Sequence, residues 1–340
     1  MKKNAFYLLT GLFSLAVLIS PSTPVAAPYY EGKVITLIVG FTPGANVDAV
    51  ARLLAKHLPK HIPGKPSIIV QNNPGGGSRM ATNYLYEQAA PDGLTIGTFS
   101  RGFPIVQVVY GPKGKKDTGV RFDLSKFSWI GSPVVESEVF AIRSDLPYKT
   151  FDDLIKSNDT INIGLTSMGG IEWGFLGLLG NHVKVKQNYV LYPGASDIYL
   201  ALERKEVDVR VGTYTSLKPR IGSGLVRPLA RGLTSEPEIE HLPVNVNYTP
   251  DEKMRKVMRV ISIQDKVGQP YVAPPKTPKD RMDILREAFS RWAKDPEVQA
   301  DAKKLFVRPN YVSAEEAMNV VNEILNQPEE INELLRKHIR

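Results

Sequence analysis

The sequence predicts an α/β fold arranged in two lobes. Three observations carry that expectation: short apolar runs alternate with amphipathic stretches, a polar loop interrupts the alternation, and a second series of similar units follows it. The 340 residues, 42% hydrophobic and 23% charged, are enough for two ordinary cores. That apolar fraction excludes a disordered chain, and 27 Gly and 26 Pro without a period exclude collagen. With no Cys, the chain has no disulfide framework, Cys-ligated zinc, iron–sulfur cluster or thiol nucleophile.

Residues 1–27 read as a secretory signal peptide. Lys2 and Lys3 form a positive start, Phe6 to Ile19 is mostly apolar, and small or turn-forming residues run from Ser20 to Ala27. The apolar run is short for a bilayer span, and no later segment reaches about 18 apolar residues in succession, so a soluble, exported chain is expected. No Cys follows the run, which argues against a lipid anchor. Removing Lys2 and Lys3 lowers the net charge from +8 to +6.

Val34 to Gly40 is a nearly continuous apolar run, as in a strand covered on both faces. After the loop Phe41–Asn46, residues Val47, Val50, Ala51, Leu54 and Leu58 share one helical face. Asn46 is the expected N-cap, Asp48 favours the positive helix end, and Pro59 limits the helix. Strand Ile68–Val70, a loop with Pro74-Gly75-Gly76-Gly77, a helix from Arg79 to Ala89 and strand Leu94–Phe99 repeat the unit. Gly111–Val120 is polar and loop-like. The second series has strand Val139–Ile142, helix Phe151–Lys156, strand Ile161–Gly164 and an apolar helix holding Ile171, Phe175, Leu178 and Leu179. Val207, Val209 and Val211 alternate with Asp208 and Arg210, which marks a half-buried strand. Helical periodicity returns over Lys279–Lys294 and from Ala314 to about Arg336.

In such sheets, ligands sit beyond the carboxyl ends of strands, where loops meet helix N-termini. The loops Phe41–Asn46 and Thr166–Gly170 fit best: small residues let backbone N–H groups approach a ligand, and the following helices favour an anion. Arg101, just past a strand end, is the preferred cationic partner for such an anion.

Catalytic signatures are missing. Gly111-Pro112-Lys113-Gly114-Lys115-Lys116 is too short for a phosphate loop, and Ser167 lacks the Gly spacing of a nucleophile elbow. His57 and His61 have zinc-pair spacing, but Leu58 replaces a catalytic Glu and Pro59 intervenes, so a solvated helix end is expected. No cofactor or metal is implied. The lysines at 113–116, 184–186 and 253–256 are scattered without aromatic interleaving, the pattern of solvated loops rather than a nucleic-acid surface.

ITLIVGFTPGANVDAVARLLAKHL, QNNPGGGSRMATNYLYEQAAPDGLTIG, FSWIGSPVVESEVFAIRSDLPYKTFDDLI, INIGLTSMGG, YPGASDIYLALERKEVDVRVG and VAPPKTPKDRMDILREAFSRWAKDPEVQADAKKL occur in that order. The series resembles the Bug-type solute receptors of tripartite tricarboxylate transporters over the whole mature chain. The resemblance implies a two-lobed type II periplasmic binding protein, each lobe a doubly wound, mainly parallel sheet, with hinge strands between them. Residues 28–132 plus 250–340 would form one lobe and 133–249 the other. It further implies a periplasmic monomer that closes on a small organic acid and hands it to the transporter's membrane subunits.

By the same resemblance, Phe41, Thr42, Pro43, Gly44, Ala45, Asn46 and Asp48 belong to the first gripping loop, with Asp48 ordering the loop rather than meeting the ligand. Thr166, Ser167, Met168 and Gly169 form the second, Gly194, Ala195 and Ser196 a third wall, and Gly212 and Thr213 a fourth. Gly170 and Trp173 stand where the family carries a Ser and a His, which points to a more apolar pocket, suited to an aromatic or larger acid. A periplasmic sensor on the same fold, or a secreted hydrolase, are the competing expectations; the second lacks a recognisable nucleophile–base pair.

Overall fold

The computed structural model describes residues 27–111, 119–166, 172–181, 183, 185–249 and 251–339. The signal-peptide reading therefore lies outside the described residues apart from Ala27, as does most of the polar stretch 111–120. No helix among the described residues is long and apolar enough to cross a membrane.

The strands, in chain order, are β1 (Val34–Val39), β2 (Ser67–Asn72), β3 (Thr95–Thr98), β4 (Ser128–Val134), β5 (Glu138–Arg143) and β6 (Thr160–Leu165). Then come β7 (Lys186–Leu191), β8 (Val209–Thr213), β9 (Val226–Arg231), β10 (Tyr271–Ala273) and β11 (Pro309–Ser313). One sheet has the order β11-β4-β10-β3-β1-β2, the other β7-β6-β8-β5-β9. In the first, β1 pairs in parallel with β2 and β3; in the second, β6 pairs in parallel with β7 and β8. Helices Asn46–His57, Arg79–Glu87, Trp173–Asn181 and Ala195–Glu203 follow β1, β2, β6 and β7, giving the expected α/β winding. Both sheets are mixed. β10 and β11 run antiparallel to their neighbours, and β5 runs antiparallel to β8 and β9. The chain passes between sheets from β4 into β5, and returns between β9 and β10.

The apolar run of β1 is continuous because both its faces are covered. Ile35, Leu37 and Val39 pack with Val50 and Leu54 and with Phe289 and Trp292, whereas Ile38 joins Leu85, Phe99 and Trp129 on the opposite face. Each such side chain contributes about 1.5–3 kcal/mol by leaving water. In the second sheet, Phe140, Ile163 and Val209 pack with Phe151 and Phe175 on one face; Val139 and Ala141 pack with Ile198 and Leu202 on the other. The first of these clusters also takes in Ile331, Leu335 and Ile339, so the chain's last helix seats on the second sheet's core.

The single helical stretch expected from Ala314 to about Arg336 is two helices, Ala314–Leu325 and Glu329–Ile339. Pro328 explains the break, because in a helix interior it lacks an N–H and its ring clashes with the preceding turn. Its carbonyl instead accepts from Ile331 and Asn332 at the start of the second helix.

Candidate functional site

Loops at the carboxyl ends of β1, β3, β6 and β8 line one cavity of about 740 Å³. The loop after β1 is a tight turn. Ala45 N donates to Thr42 O at 3.2 Å, Pro43 presets the second residue, and Gly44 takes φ +82°. No atom lies within 4 Å of a Cβ built on Gly44, so the dihedral rather than space demands glycine here. Asp48 fastens the turn: its Oδ2 accepts from Gly44 N at 2.9 Å and from Arg52 Nε at 2.9 Å, and its Oδ1 accepts from Asn72 Nδ2 at 2.8 Å. Burial works to raise the Asp48 pKa, but these bonds outweigh it and hold the pKa below the ordinary value. Pro43, Gly44 and Asp48 thus shape the loop, while Phe41, Thr42, Ala45 and Asn46 form the cavity wall. Asn46 does not cap the helix. It is the first helical residue after the N-cap Ala45, and its amide donates to Glu136 Oε1 at 3.0 Å.

A second loop supports the wall. A Cβ at Gly40 would come 2.4 Å from Ser78 Cβ, so glycine is what lets residues 74–78 close against the end of β1. Ser78 Oγ accepts from Ser100 N at 2.9 Å and so braces the turn that carries Arg101.

Arg101 lines the cavity but is only 6% exposed, and its Nε donates to Asp265 Oδ1 at 3.1 Å. Burial opposes its charge; Asp265, Glu138 and Glu136 more than offset this and raise its pKa. Its Nη2 is buried without a partner. A second cavity arginine, Arg210 on β8, belongs to the other sheet. It lies over Gly212 and 5.0 Å from the Tyr199 ring centroid, with Nε and Nη1 buried and unpartnered. In the sequence Arg210 figures only as a polar member of a strand's alternation, on the face expected to meet solvent, and nothing there signals that it is buried at 6% exposure.

Four buried carboxyl groups surround these arginines: Glu136, Glu138, Glu172 and Asp265. Burial pushes all four pKa values up, Glu138 well above the usual range with Asp265 adding to the effect. Glu136 Oε1 also accepts from Gln269 Nε2 at 2.7 Å.

Of the remaining expected residues, Thr166, Gly194, Ala195, Gly212 and Thr213 line the cavity, and Ser196 does not. A Cβ at Gly194 would sit 3.4 Å from Thr42 Oγ1, so loops from the two sheets face each other closely. Thr213 Oγ1 accepts from Ser216 N at 3.3 Å and caps the next helix. Ser167, Met168, Gly169 and Gly170 lie outside the described residues. Trp173 opens helix Trp173–Asn181, but its side chain is also outside them.

No group of three or more His, Cys, Asp or Glu among the described residues could hold a metal. His57 is buried rather than solvated, with Nε2 3.0 Å from Asp301 Oδ2, and His61 Nε2 is 2.8 Å from Asp295 Oδ2. The pair fastens one helix end to helix Pro296–Lys304.

A family model described as the tripartite tricarboxylate transporter family receptor matches residues 50–336. A UPF0065 protein of Bordetella pertussis is 28% identical over 276 residues, covering 74% of this chain and 82% of the relative. The solved periplasmic binding protein BugD superposes with a TM-score of 0.70 at 23% identity, over 91% of this chain and 98% of that one. MatC from Rhodopseudomonas palustris with bound malate gives a TM-score of 0.69 at 20% identity, over 91% and 99%. These structures share its two-lobed α/β fold. The family match covers most of the chain, and the protein belongs to the tripartite tricarboxylate transporter receptor family.

Proposed function

We propose that the protein is a periplasmic, monomeric solute-binding protein that captures a small organic acid between its lobes and delivers it to the membrane subunits of a tripartite tricarboxylate-type transporter. The observation that carries this reading is a cavity with buried, unpartnered guanidinium N–H groups from both sheets, on Arg101 and Arg210. An unsatisfied buried polar group costs about 1–3 kcal/mol. A carboxylate bridging the two arginines removes that cost and favours the closed arrangement of the lobes. The N-termini of helices Asn46–His57 and Ala195–Glu203 add dipoles of the right sign. Phe41, Phe99, Phe103 and Tyr110 supply an apolar wall for the body of an aromatic or larger acid. The malate in MatC supports a carboxylate ligand for this chain. The protein's role is capture and release, with no catalytic step, no cofactor and no nucleic-acid partner.

A thermal-shift screen of the mature protein against mono-, di- and tricarboxylates, aromatic acids included, tests the reading. A ligand at 100 times its Kd stabilises by about 2.7 kcal/mol. Melting shifts produced only by sugars or simple amines would overturn it.

A further inference from the structure

We propose that the Glu136–Gln269 wall of the cavity is a subsite for a protonated amine, so that the captured acid carries an ammonium group besides its carboxylate. This rests on the solute-binding reading above and names the ligand class more narrowly.

Glu136 is 2% exposed and Gln269 is 3% exposed, and both line the cavity. Glu136 Oε1 already accepts two N–H groups, from Asn46 Nδ2 at 3.0 Å and Gln269 Nε2 at 2.7 Å. Its other oxygen, Oε2, is buried without a partner. Gln269 directs its NH2 at Glu136, so its carbonyl Oε1 faces elsewhere, and that atom is buried without a partner too. Gln269 is held in place from behind, its backbone N donating to Ser132 Oγ at 2.8 Å. Neighbouring side chains therefore present two acceptors awaiting donors. A carboxylate placed there would meet repulsion, whereas an ammonium group brings three N–H donors and a positive charge.

The local charge points the same way. Glu136 and Glu172 line the cavity with Arg101 and Arg210, while Glu138 and Asp265 are buried beside Arg101. Buried acidic side chains thus outnumber the two guanidinium groups they surround. A plain carboxylate adds another acidic group to this set; an amino-bearing acid brings its own cation while filling both kinds of unpartnered atom.

The test is calorimetric titration of the mature protein at pH 7.5 with matched pairs: glutamate and glutarate, phenylalanine and 3-phenylpropionate, 4-(aminomethyl)benzoate and 4-methylbenzoate. Benzylamine serves as an amine without a carboxylate. The expected result is at least tenfold tighter binding of the amine-bearing member in one or more pairs. Glu136→Gln then reduces that preference to below threefold. Equal or tighter binding of the amine-free acid in every pair overturns the subsite and leaves the acid-binding reading standing. Binding of benzylamine alone upholds the subsite and overturns the acid reading. If nothing binds, the subsite falls. Should Glu136→Gln fail to fold, the matched pairs on the unaltered protein decide the matter by themselves.

Discussion

Arg101 and Asp265 form an ion pair at 3.1 Å inside the protein, their side chains 6% and 0% exposed. The pair joins the loop after β3 to the short 3-10 turn Ile263–Val267, which leads the chain back into β10. It therefore anchors one cavity wall to the segment that returns from the second sheet. Gly232 gives it room, since a Cβ there would come 2.4 Å from Asp265 Oδ2.

Asp265→Ala leaves a guanidinium buried beside Glu136 and Glu138 without its hydrogen-bonded partner. Breaking such a pair from one side costs about 3–5 kcal/mol. Urea unfolding at pH 7 should show a loss of that order. A loss below about 1 kcal/mol would mean that the neighbouring glutamates take over the pairing.

The two arginines should differ in their effect on binding. Arg101 is already paired with Asp265, while Arg210 has no hydrogen-bonded carboxylate among the described residues and two unpartnered donor nitrogens. Arg210→Leu should weaken an acid ligand at least tenfold, about 1.4 kcal/mol, and more than Arg101→Leu does. An acid titrated into each variant by calorimetry checks this. Unchanged affinity would remove that arginine from the site.

The first loop was legible because all its determinants are local. An apolar strand run, Pro43-Gly44 and a helical apolar face lie within about thirty residues and follow fixed periods. The same local signals put Arg101 at a strand end. Its partner was not legible, because Asp265 lies 164 positions away. Glu136 and Gln269, 133 positions apart, carry no local signal either: each is one polar residue among many until the sheets assemble. His57 and His61 failed similarly, their carboxylate partners lying 244 and 234 positions on. The break at Pro328 was visible in the sequence, but the apolar periodicity on either side hid it.

Asp295 has two jobs at one helix start. Its Oδ1 accepts from Glu297 N at 2.9 Å, while its Oδ2 meets Lys60 Nζ at 2.6 Å and His61 Nε2 at 2.8 Å. Burial works to raise its pKa, but Lys60, the Glu297 amide and His61 outweigh this and bring it down to about 2. Asp295→Ala should cost about 1–2 kcal/mol at pH 7, mostly the lost cap. A lowered folded-state pKa stabilises above the unfolded value and ceases to as pH falls through the folded one. The gap between variant and native protein should therefore narrow between about pH 4, the unfolded value, and pH 2. Urea midpoints across that range test it, and a constant gap would show that the charge contributes nothing.

Glu138 should act in the opposite sense. It is 1% exposed with Oε1 unpartnered, and burial together with Asp265 pushes its pKa well above the usual range. Below the unfolded value, about 4.3, the group is neutral in both states and costs nothing. Above it the unfolded chain ionises while the folded chain still holds the proton, so stability falls as pH rises, by about 1.4 kcal/mol per pH unit, until the raised pKa is passed. Glu138→Gln keeps the shape and removes the titration. The variant should gain on the native protein from about pH 4.3 upward, with a flatter stability profile to pH 8. Asp265, raised in the same direction, leaves a residual slope in both proteins. Parallel profiles for the two proteins would show that Glu138 titrates alike in the folded and unfolded states, with Arg101 offsetting the burial of the site.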